Sequence, residues 1–383
     1  MPFALEHMSR SALPKKVVIS GTILGLGGIR THLVLLMKLL RREKTDVLVL
    51  ATGACWDEEL LSELECLGVQ FVLPPKLLRP CRRLSTLYSG LLWPVRLPRT
   101  ASSVYCIGAG YSHLLVQRFR PKGAVTLNHE IVVPPGPRSL AGLCAQRLDA
   151  TVANSRKVAE VMASYWPQKP MRVIPFLTSD RPSPPPRRQT SGSAQGLKVI
   201  YLGRLVEQKR PDHLVRAWPA LTSHPALLKA RLDVHGNDPS GHMIGALREW
   251  VAKAGLSSRI GIHGEYRLQD LPCLLNQADL VVLPSLWEGL PLVLIEAMSR
   301  GVPFVATAAG GTEELGEDNP DVKITSTEWA AFEAGLLEMA ERLQTGQVDP
   351  VRLHNWSEQR YGYGSVSQRW LKCLHEPVRF FSA

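Results

Sequence analysis

Two carboxylates, Glu288 and Glu296, stand eight residues apart in the otherwise apolar run LPSLWEGLPLVLIEAMSRGVPFVAT, residues 283–307. Apolar surroundings disfavour an ionised carboxylate, so both ask for partners. Glu288 precedes Gly289, Leu290 and Pro291. Proline fits the first turn of a helix because its missing N–H is not needed there. The spacing predicts a helix from about Leu292 to Arg300, ended by Gly301. Gly289 and Leu290 then lie at a helix N-terminus, where free N–H groups and the positive dipole end favour phosphate. Glu296 falls about a turn and a half inside that helix. A carboxylate that cannot enter the core faces a cleft or solvent, where it can accept hydrogen bonds from paired hydroxyls such as those of a ribose.

Three other places carry candidate chemistry. In YLGRLVEQKRPDHLVRAW a strand ends at Gly203, and Arg204 and Lys209 follow in the loop. Two cations at the edge of a sheet can hold a diphosphate, with arginine gripping it bidentately; the plainer alternative is surface pairing with Glu207 or Asp212. In GTILGLGGIRTH, Gly27 and Gly28 separate the first strand from the first helix and allow a ligand close to the backbone. This is no dinucleotide fingerprint: Arg30 replaces the third glycine and no acid ends the second strand, VLVLATGA, which places a dehydrogenase last. In TLNHE, His129 follows a strand at its carboxyl end, a position from which it either lines a cleft or serves packing.

Strands must position these groups. KVVIS, DVLVLA, VQFVL, SVYCI, AVTLN, DATVA and MRVIP alternate with helical patterns in the first half; LKVIYL, ARLDVHG, RIGIH, DLVVLP and VPFVAT do so in the second, and a long helix is expected over 326–344. In the first helix Ile29, Leu33, Val34, Leu36, Met37 and Leu40 form an apolar stripe opposite Arg30, Lys38, Arg41 and Arg42. Continuous apolar strands between helices imply parallel sheets covered on both faces. The expected architecture is therefore α/β: two Rossmann-like, doubly wound parallel-sheet domains facing a cleft. The expected boundaries are a flexible arm at 1–14, a first domain at 15–177, a Pro/Ser-rich linker at 178–196, a second domain at 197–355, and a C-terminal helix at 356–383 that packs back on the first domain.

Composition narrows the class. The chain has 383 residues, 45% hydrophobic and 21% charged, as in soluble globular proteins of two domains. No apolar run reaches membrane-spanning length. Lys15-Lys16 and the apolar stretch after them imitate a signal peptide, but glycines interrupt that stretch and no small-residue cleavage site follows. Seven scattered cysteines without a C-x-x-C pair fit reduced thiols and a cytoplasmic protein. Neither histidine spacing nor an Asp-x-Asp points to a metal, and no cofactor is expected. The net charge of +11 is uneven: residues 1–177 hold 23 Lys/Arg against 11 Asp/Glu, and residues 178–383 hold 22 against 23. The basic half implies either an anionic partner or a solubilising surface. Within it, residues 79–99, RPCRRLSTLYSGLLWPVRLPR, form a basic amphipathic segment suited to peripheral contact with an anionic membrane or to packing on a core. No nucleic-acid-binding motif is present.

Taken together these residues resemble the retaining glycosyltransferases of family 4, which have the GT-B fold. The resemblance is strongest over 197–316, where YLGRLVEQKRPDHLVRAW, DVHGNDP and GIHGEYRLQDLPCLLNQADLVVLPSLWEGLPLVLIEAMSRGVPFVATAAGGTEEL follow the family pattern in order; GGIRTH, NHE and VANSRKV carry it more loosely in the first half. The resemblance implies transfer of a sugar from a nucleoside diphosphate to an acceptor with retained anomeric configuration, in the making of a polysaccharide, glycolipid or glycosylated metabolite, and without a metal. Family frequency favours UDP, then GDP. By analogy Arg204 and Lys209 hold the diphosphate, Glu288 contacts the donor sugar and Glu296 the ribose. His129 lies at the sugar, and Gly27 and Gly28 approach the phosphates or the acceptor. Gly264, Tyr266 and Arg267 meet the base, and Gly289, Leu290, Pro291 and Leu292 form the donor-binding turn. The sequence departs from the pattern at Pro175-Phe176-Leu177-Thr178, at Asp238 and at Glu130. Two alternatives stand beside this reading: a nucleotide-sugar epimerase of similar fold, and a non-catalytic nucleotide-sugar-binding protein.

Overall fold

The computed structural model describes residues 15–21, 28–51, 58–78, 84, 87–88, 91, 95–107, 117–131, 136–179 and 196–382. The arm at 1–14, Gly27 and most of the linker lie outside these residues. Thirteen strands are described: β1 (Lys16–Gly21), β2 (Asp46–Ala51), β3 (Gln70–Val72), β4 (Ser103–Ile107), β5 (Val125–Glu130), β6 (Ala150–Ala153), β7 (Met171–Val173), β8 (Lys198–Leu202), β9 (Arg231–His235), β10 (Ile260–Gly264), β11 (Leu280–Leu283), β12 (Phe304–Thr307) and β13 (Lys323–Thr325). They form two sheets, ordered β3-β2-β1-β4-β5-β6-β7 and β10-β9-β8-β11-β12-β13, and every named strand pairing is parallel. The central strands β4, β6, β11 and β12 are buried throughout, as the unbroken apolar runs require of strands covered on both faces.

The structure differs from the sequence expectations at some edges. No sequence pattern announces β13; at three residues, Lys-Ile-Thr, it is too short to carry one. The long helix begins at Trp329, and the helix after Glu288 spans only Leu292–Met298, with Pro291 as its N-cap. Ser299 closes that helix, and Gly301 takes the left-handed conformation beyond it.

Each sheet has its own core. Trp218, Phe304, Leu294, Ile295 and Phe332 belong to the second. The first is completed by the far end of the chain: Val366, Trp370, Leu371, Cys373 and Leu374 pack with Ile19, Leu36 and Tyr105. The chain crosses at Gly362, which separates the Pro350–Tyr361 helix from the Tyr363–His375 helix. Trp356 and Tyr361, on the near side of that break, belong to the second core. On the far side, the Ser103 hydroxyl donates to the Leu374 carbonyl at 2.8 Å, and Thr45 Oγ1 meets His375 Nε2 at 2.8 Å.

Candidate functional site

β8 lies between β9 and β11, and its pairing with β11 (Leu280 opposite Val199, Val281 opposite Ile200) marks where the strand order reverses. Loops leaving the carboxyl ends of such neighbours diverge to opposite faces and open a crevice. Here those loops are 203–210 and 284–291, the two stretches that carry the candidate cations and Glu288.

Hydrogen bonds tie the loops together. Leu286 N–H donates to the Gln208 carbonyl at 2.8 Å, and Gln208 Nε2 donates to the Trp287 carbonyl at 2.5 Å. Arg210, in left-handed backbone with φ of 50°, sends Nε to the Pro284 carbonyl at 2.6 Å. This arrangement delivers Lys209 Nζ to Glu288 Oε1 at 2.5 Å, with both side chains roughly nine-tenths buried (12% and 11% exposed). Ser285 Oγ donates to the same Glu288 oxygen at 2.7 Å. The sequence offers Glu207 or Asp212 as partners for the loop cations; the structure pairs Lys209 with Glu288 instead. Arg204 is exposed and makes no ion pair among the described residues; its carbonyl accepts from Tyr201 Oη at 2.9 Å.

Of the two settings expected for Glu296, a cleft or solvent, its 6% exposure removes open solvent. Burial raises its carboxyl to about 8, against the downward pull of Arg300. The Tyr266 phenol is likewise raised, first by burial and then by Glu296 nearby. Gly264 ends β10 with φ of 93°, and its carbonyl accepts from Gly236 N at 2.7 Å. Arg267 is exposed. Leu290, Pro291 and Leu292 are buried in the turn into the helix. Gly311 N–H donates to the Gly289 carbonyl at 2.8 Å, and a Cβ at Gly310 would strike the Glu288 carbonyl oxygen.

The first domain closes over this turn. Gly28 opens the first helix, and a Cβ on it would lie 2.9 Å from Leu292 Cδ1, so the glycine lets the two domains touch. At Gly289 a Cβ would collide with the Ile131 carbonyl oxygen and approach Asn154 Nδ2 to 2.9 Å. Asn154 is 1% exposed, and among the described residues neither its Nδ2 nor its Oδ1 has a hydrogen-bond partner. Beside them Lys157 N–H donates to Glu314 Oε1 at 3.0 Å, and Arg156 pairs with Glu314 and Glu317.

For His129 the sequence leaves two settings, lining a cleft or packing, and the structure packs it among other rings. It is the fifth residue of β5, 1% exposed, enclosed by His32, Tyr105, Phe176 and Trp370. Burial lowers it to about 3, so it is neutral at ordinary pH. Its Nδ1 contacts Tyr105 Oη, and its Nε2 has no partner among the described residues. The neighbouring Glu130 carboxyl is raised by burial to about 7, while Asn128 Nδ2 donates to it at 3.1 Å.

Sequence reasoning does not single out Ser285, Gln208, Arg210 or Asn154. Ser285 stands three residues before Glu288, a spacing the sequence does display. The others act across gaps such as the 79 residues between Gln208 and Trp287, where no local pattern signals contact.

Residues 196–342 match the family described as Glycosyl transferases group 1. Over 181 residues the chain is 34% identical to the lipopolysaccharide core biosynthesis mannosyltransferase LpsB of Rhizobium meliloti, covering 44% of this chain and 48% of that protein. Over 133 residues it is 37% identical to the D-inositol 3-phosphate glycosyltransferase of Salinispora tropica, covering 33% and 27%. The chain thus spans about half or less of the length of these curated relatives. Among solved structures it is similar to Anabaena Alr3699/HepE in complex with UDP-glucose, with a TM-score of 0.69 at 19% identity over 94% of this chain and 99% of that one. It is also similar to sucrose-phosphate synthase from Thermosynechococcus elongatus, with a TM-score of 0.73 at 14% identity over 95% and 99%. The fold is GT-B, two parallel-sheet α/β domains across a cleft. Among the described residues no group of three His, Cys, Asp or Glu side chains is placed to hold a metal ion. No described helix is long and apolar enough to cross a membrane.

Proposed function

We propose that the protein is a retaining glycosyltransferase of the family 4 type, moving a sugar from a nucleoside-diphosphate sugar to an acceptor. The observation that carries this reading is the meeting of Lys209, Glu288 and Ser285 at the β8/β11 reversal, one helical segment away from the buried Glu296. Breaking a glycosyl–phosphate bond leaves negative charge on the departing diphosphate and positive charge on the sugar ring. Arg204 is free to meet the first. Lys209 reaches it by leaving Glu288, which releases the Glu288 carboxylate toward the second. Preorganised charges of this kind are the largest single contribution in many enzymes. Glu296, buried beside Tyr266, awaits the hydroxyls of a ribose, and Gly264, Tyr266 and Arg267 border the space for the base. Gly28 and the turn Gly289–Leu292 border the diphosphate, with Gly27 expected next to them. No resident metal or cofactor is part of this reading.

UDP is the favoured nucleotide and GDP the next; UDP is present in the complexes of the Anabaena structural neighbour. Thermal-shift screening with UDP, GDP, ADP and dTDP tests the donor class, because a ligand bound only by the folded state raises its stability with concentration. Product analysis with UDP-sugar then separates transfer from epimerisation, which consumes the donor without an acceptor. Failure of every nucleoside diphosphate to shift the midpoint would sink the reading.

Peripheral membrane contact is the second part of the proposal. Leu84, Leu87, Leu91 and Val95 are helical and exposed at helical spacing, with exposed Arg96 and Arg99 alongside. The rest of 79–99 lies outside the described residues, apart from Tyr88, Leu97 and Pro98. Flotation with vesicles containing anionic lipid should recover the protein in a salt-sensitive manner, and recovery that ignores lipid charge would remove this part.

A further inference from the structure

Five rings from five different segments meet beneath the first sheet. His32 comes from the first helix, Tyr105 from β4, His129 from β5, Phe176 from the crossover toward the second domain, and Trp370 from the Tyr363–His375 helix. His32 and Phe176 stack at 4.5 Å between centroids, and Trp370 Nε1 donates to the Pro175 carbonyl at 2.9 Å, which pins the crossover to the cluster. His32, Tyr105 and His129 are at most 1% exposed.

The proton positions in this cluster follow from one backbone amide. Leu177 N–H donates to His32 Nδ1 at 3.1 Å. A neutral imidazole that accepts at Nδ1 carries its proton on Nε2. His32 Nε2 lies 3.2 Å from Tyr105 Oη, so the phenol oxygen accepts there. The phenol hydrogen is then directed at His129 Nδ1, which Tyr105 Oη contacts. His129 in turn accepts at Nδ1 and carries its own proton on Nε2. That Nε2 is buried and without a partner among the described residues. A cluster built for packing alone rarely leaves a buried donor unpaired. Two residues further along the chain, the Ile131 carbonyl rests on Gly289, so the strand that carries the orphan donor runs out at the seam between the domains.

We propose that His32 and Tyr105 are positioning residues that, starting from the Leu177 amide of the crossover, fix His129 as its Nε2–H tautomer, so that it offers a hydrogen bond to a ligand oxygen and does not act as a base. On the glycosyltransferase reading, on which only this last step rests, that oxygen is a hydroxyl of the donor sugar. Burial holds both rings neutral: His32 is lowered by burial and then by His129, and His129 by burial. The consequence is chemical. His129 selects for an acceptor atom and leaves proton transfer to other groups.

Long-range proton–nitrogen correlation spectra of the full-length, ligand-free protein labelled with 15N-histidine test the relay, with His32→Gln and His129→Gln giving the assignments. The expected spectrum shows pyrrole-type Nε2 and pyridine-type Nδ1 in both rings, constant between about pH 6 and 8. Tyr105→Phe keeps the ring and removes Oη, so His129 should become a mixture of tautomers, and turnover should fall about fivefold, the worth of one hydrogen bond. A proton on His129 Nδ1 in the wild type, or an unchanged His129 spectrum in Tyr105→Phe, overturns the proposal. The wild-type spectrum decides the tautomer even if Tyr105→Phe fails to fold. No sugar nucleotide is present in these spectra, so intact tautomers in a protein that transfers no sugar would retire the functional reading and leave the relay standing.

Discussion

The two walls of the cleft are built from opposite materials. The second domain offers charge: Arg204 exposed, and Lys209 paired with Glu288 where two loops leave adjacent strands. Where it touches Gly289 the first domain presents neutral groups among the described residues, and its nearest ion pair, Arg156 with Glu314 and Glu317, sits beside that contact. The first domain supplies the Gly28 backbone, the Ile131 carbonyl, the Asn154 amide and a neutral His129, the last two almost completely buried. The difference follows from solvation. Charged groups are held at loop ends because full burial of an ion is costly, whereas neutral donors and acceptors can sit inside if a ligand completes their bonding. On the proposed function, the first wall is suited to recognition by hydrogen bonding, and the second to stabilising the charge that would develop during reaction.

The hardest test of this contrast is to discharge the second wall. Arg204→Ala and Lys209→Ala should each lower turnover by roughly 10²-fold or more, by analogy with loss of one oxyanion donor. Lys209→Ala also strands the largely buried Glu288 carboxylate, so its thermal midpoint should drop while that of Arg204→Ala holds. Transfer rate and melting are measured on the same samples. Unchanged turnover in either folded variant would return these cations to a surface role.

A smaller blow falls on the seam itself. Gly289→Ala places a methyl group where the Ile131 carbonyl oxygen already sits, and backbone on both sides leaves little room to yield. The domains should be wedged apart and turnover should fall about ten- to a hundredfold, as displacement of order 1 Å can cause. Small-angle scattering reads the change in shape. A normal rate with unchanged scattering would mean that the contact is not needed in the reacting state.

Glu296→Gln sharpens the contrast from within the charged wall. The wild-type carboxyl keeps its proton to about pH 8 when folded but only to about 4.5 in the unfolded chain. Between those values the folded state binds more protons, so the stability tied to this group declines as pH rises from about 4.5 to 8 and is constant above. Glutamine does not titrate. The variant should therefore gain on the wild type as pH climbs toward 8, by up to a few kcal/mol at roughly 1.4 kcal/mol for each tenfold difference in proton affinity, with little gain at pH ~5. Donor affinity should weaken about tenfold, because an amide cannot accept from both hydroxyls through two oxygens. Equal gains at both pH values would mean that burial is not what holds the carboxyl protonated.

The two walls also differ in how openly the sequence displays them. The alternating strands and the loops after β8 and β11 are local patterns, so the α/β architecture and the positions of Arg204, Lys209 and Glu288 are legible directly. That Lys209 answers Glu288 is not, because the pairing depends on β8 lying beside β11 while β9 and β10 occupy the other side. For Glu296 the sequence leaves a cleft and solvent open; its burial, with Tyr266 and Arg300 nearby, is not legible. His129 is left open in the same way. Its position at the end of a strand is legible, but its enclosure by His32, Phe176 and Trp370 draws on segments from residue 32 to residue 370.

The smallest expected effect tests the neutral wall most cleanly. Asn154 has two buried polar atoms and no partner for either among the described residues, so Asn154→Ala breaks no side-chain hydrogen bond among them. Desolvating an unpaired amide is unfavourable, and its removal offsets the packing given up with the side chain. The ligand-free midpoint should therefore move by no more than about 1 kcal/mol equivalent, in either direction. A sugar nucleotide that completes the amide's bonding would lose about one hydrogen bond, and its affinity should fall about fivefold. Because Asn154 Nδ2 reaches toward Gly289 from the opposite domain, the loss should be greater for an intact UDP-sugar than for UDP alone, if the amide meets the sugar and not the phosphates. Isothermal titration with both ligands separates the two. Equal losses would move Asn154 to the diphosphate, and a large fall in ligand-free stability would show that the residue serves the domain contact instead.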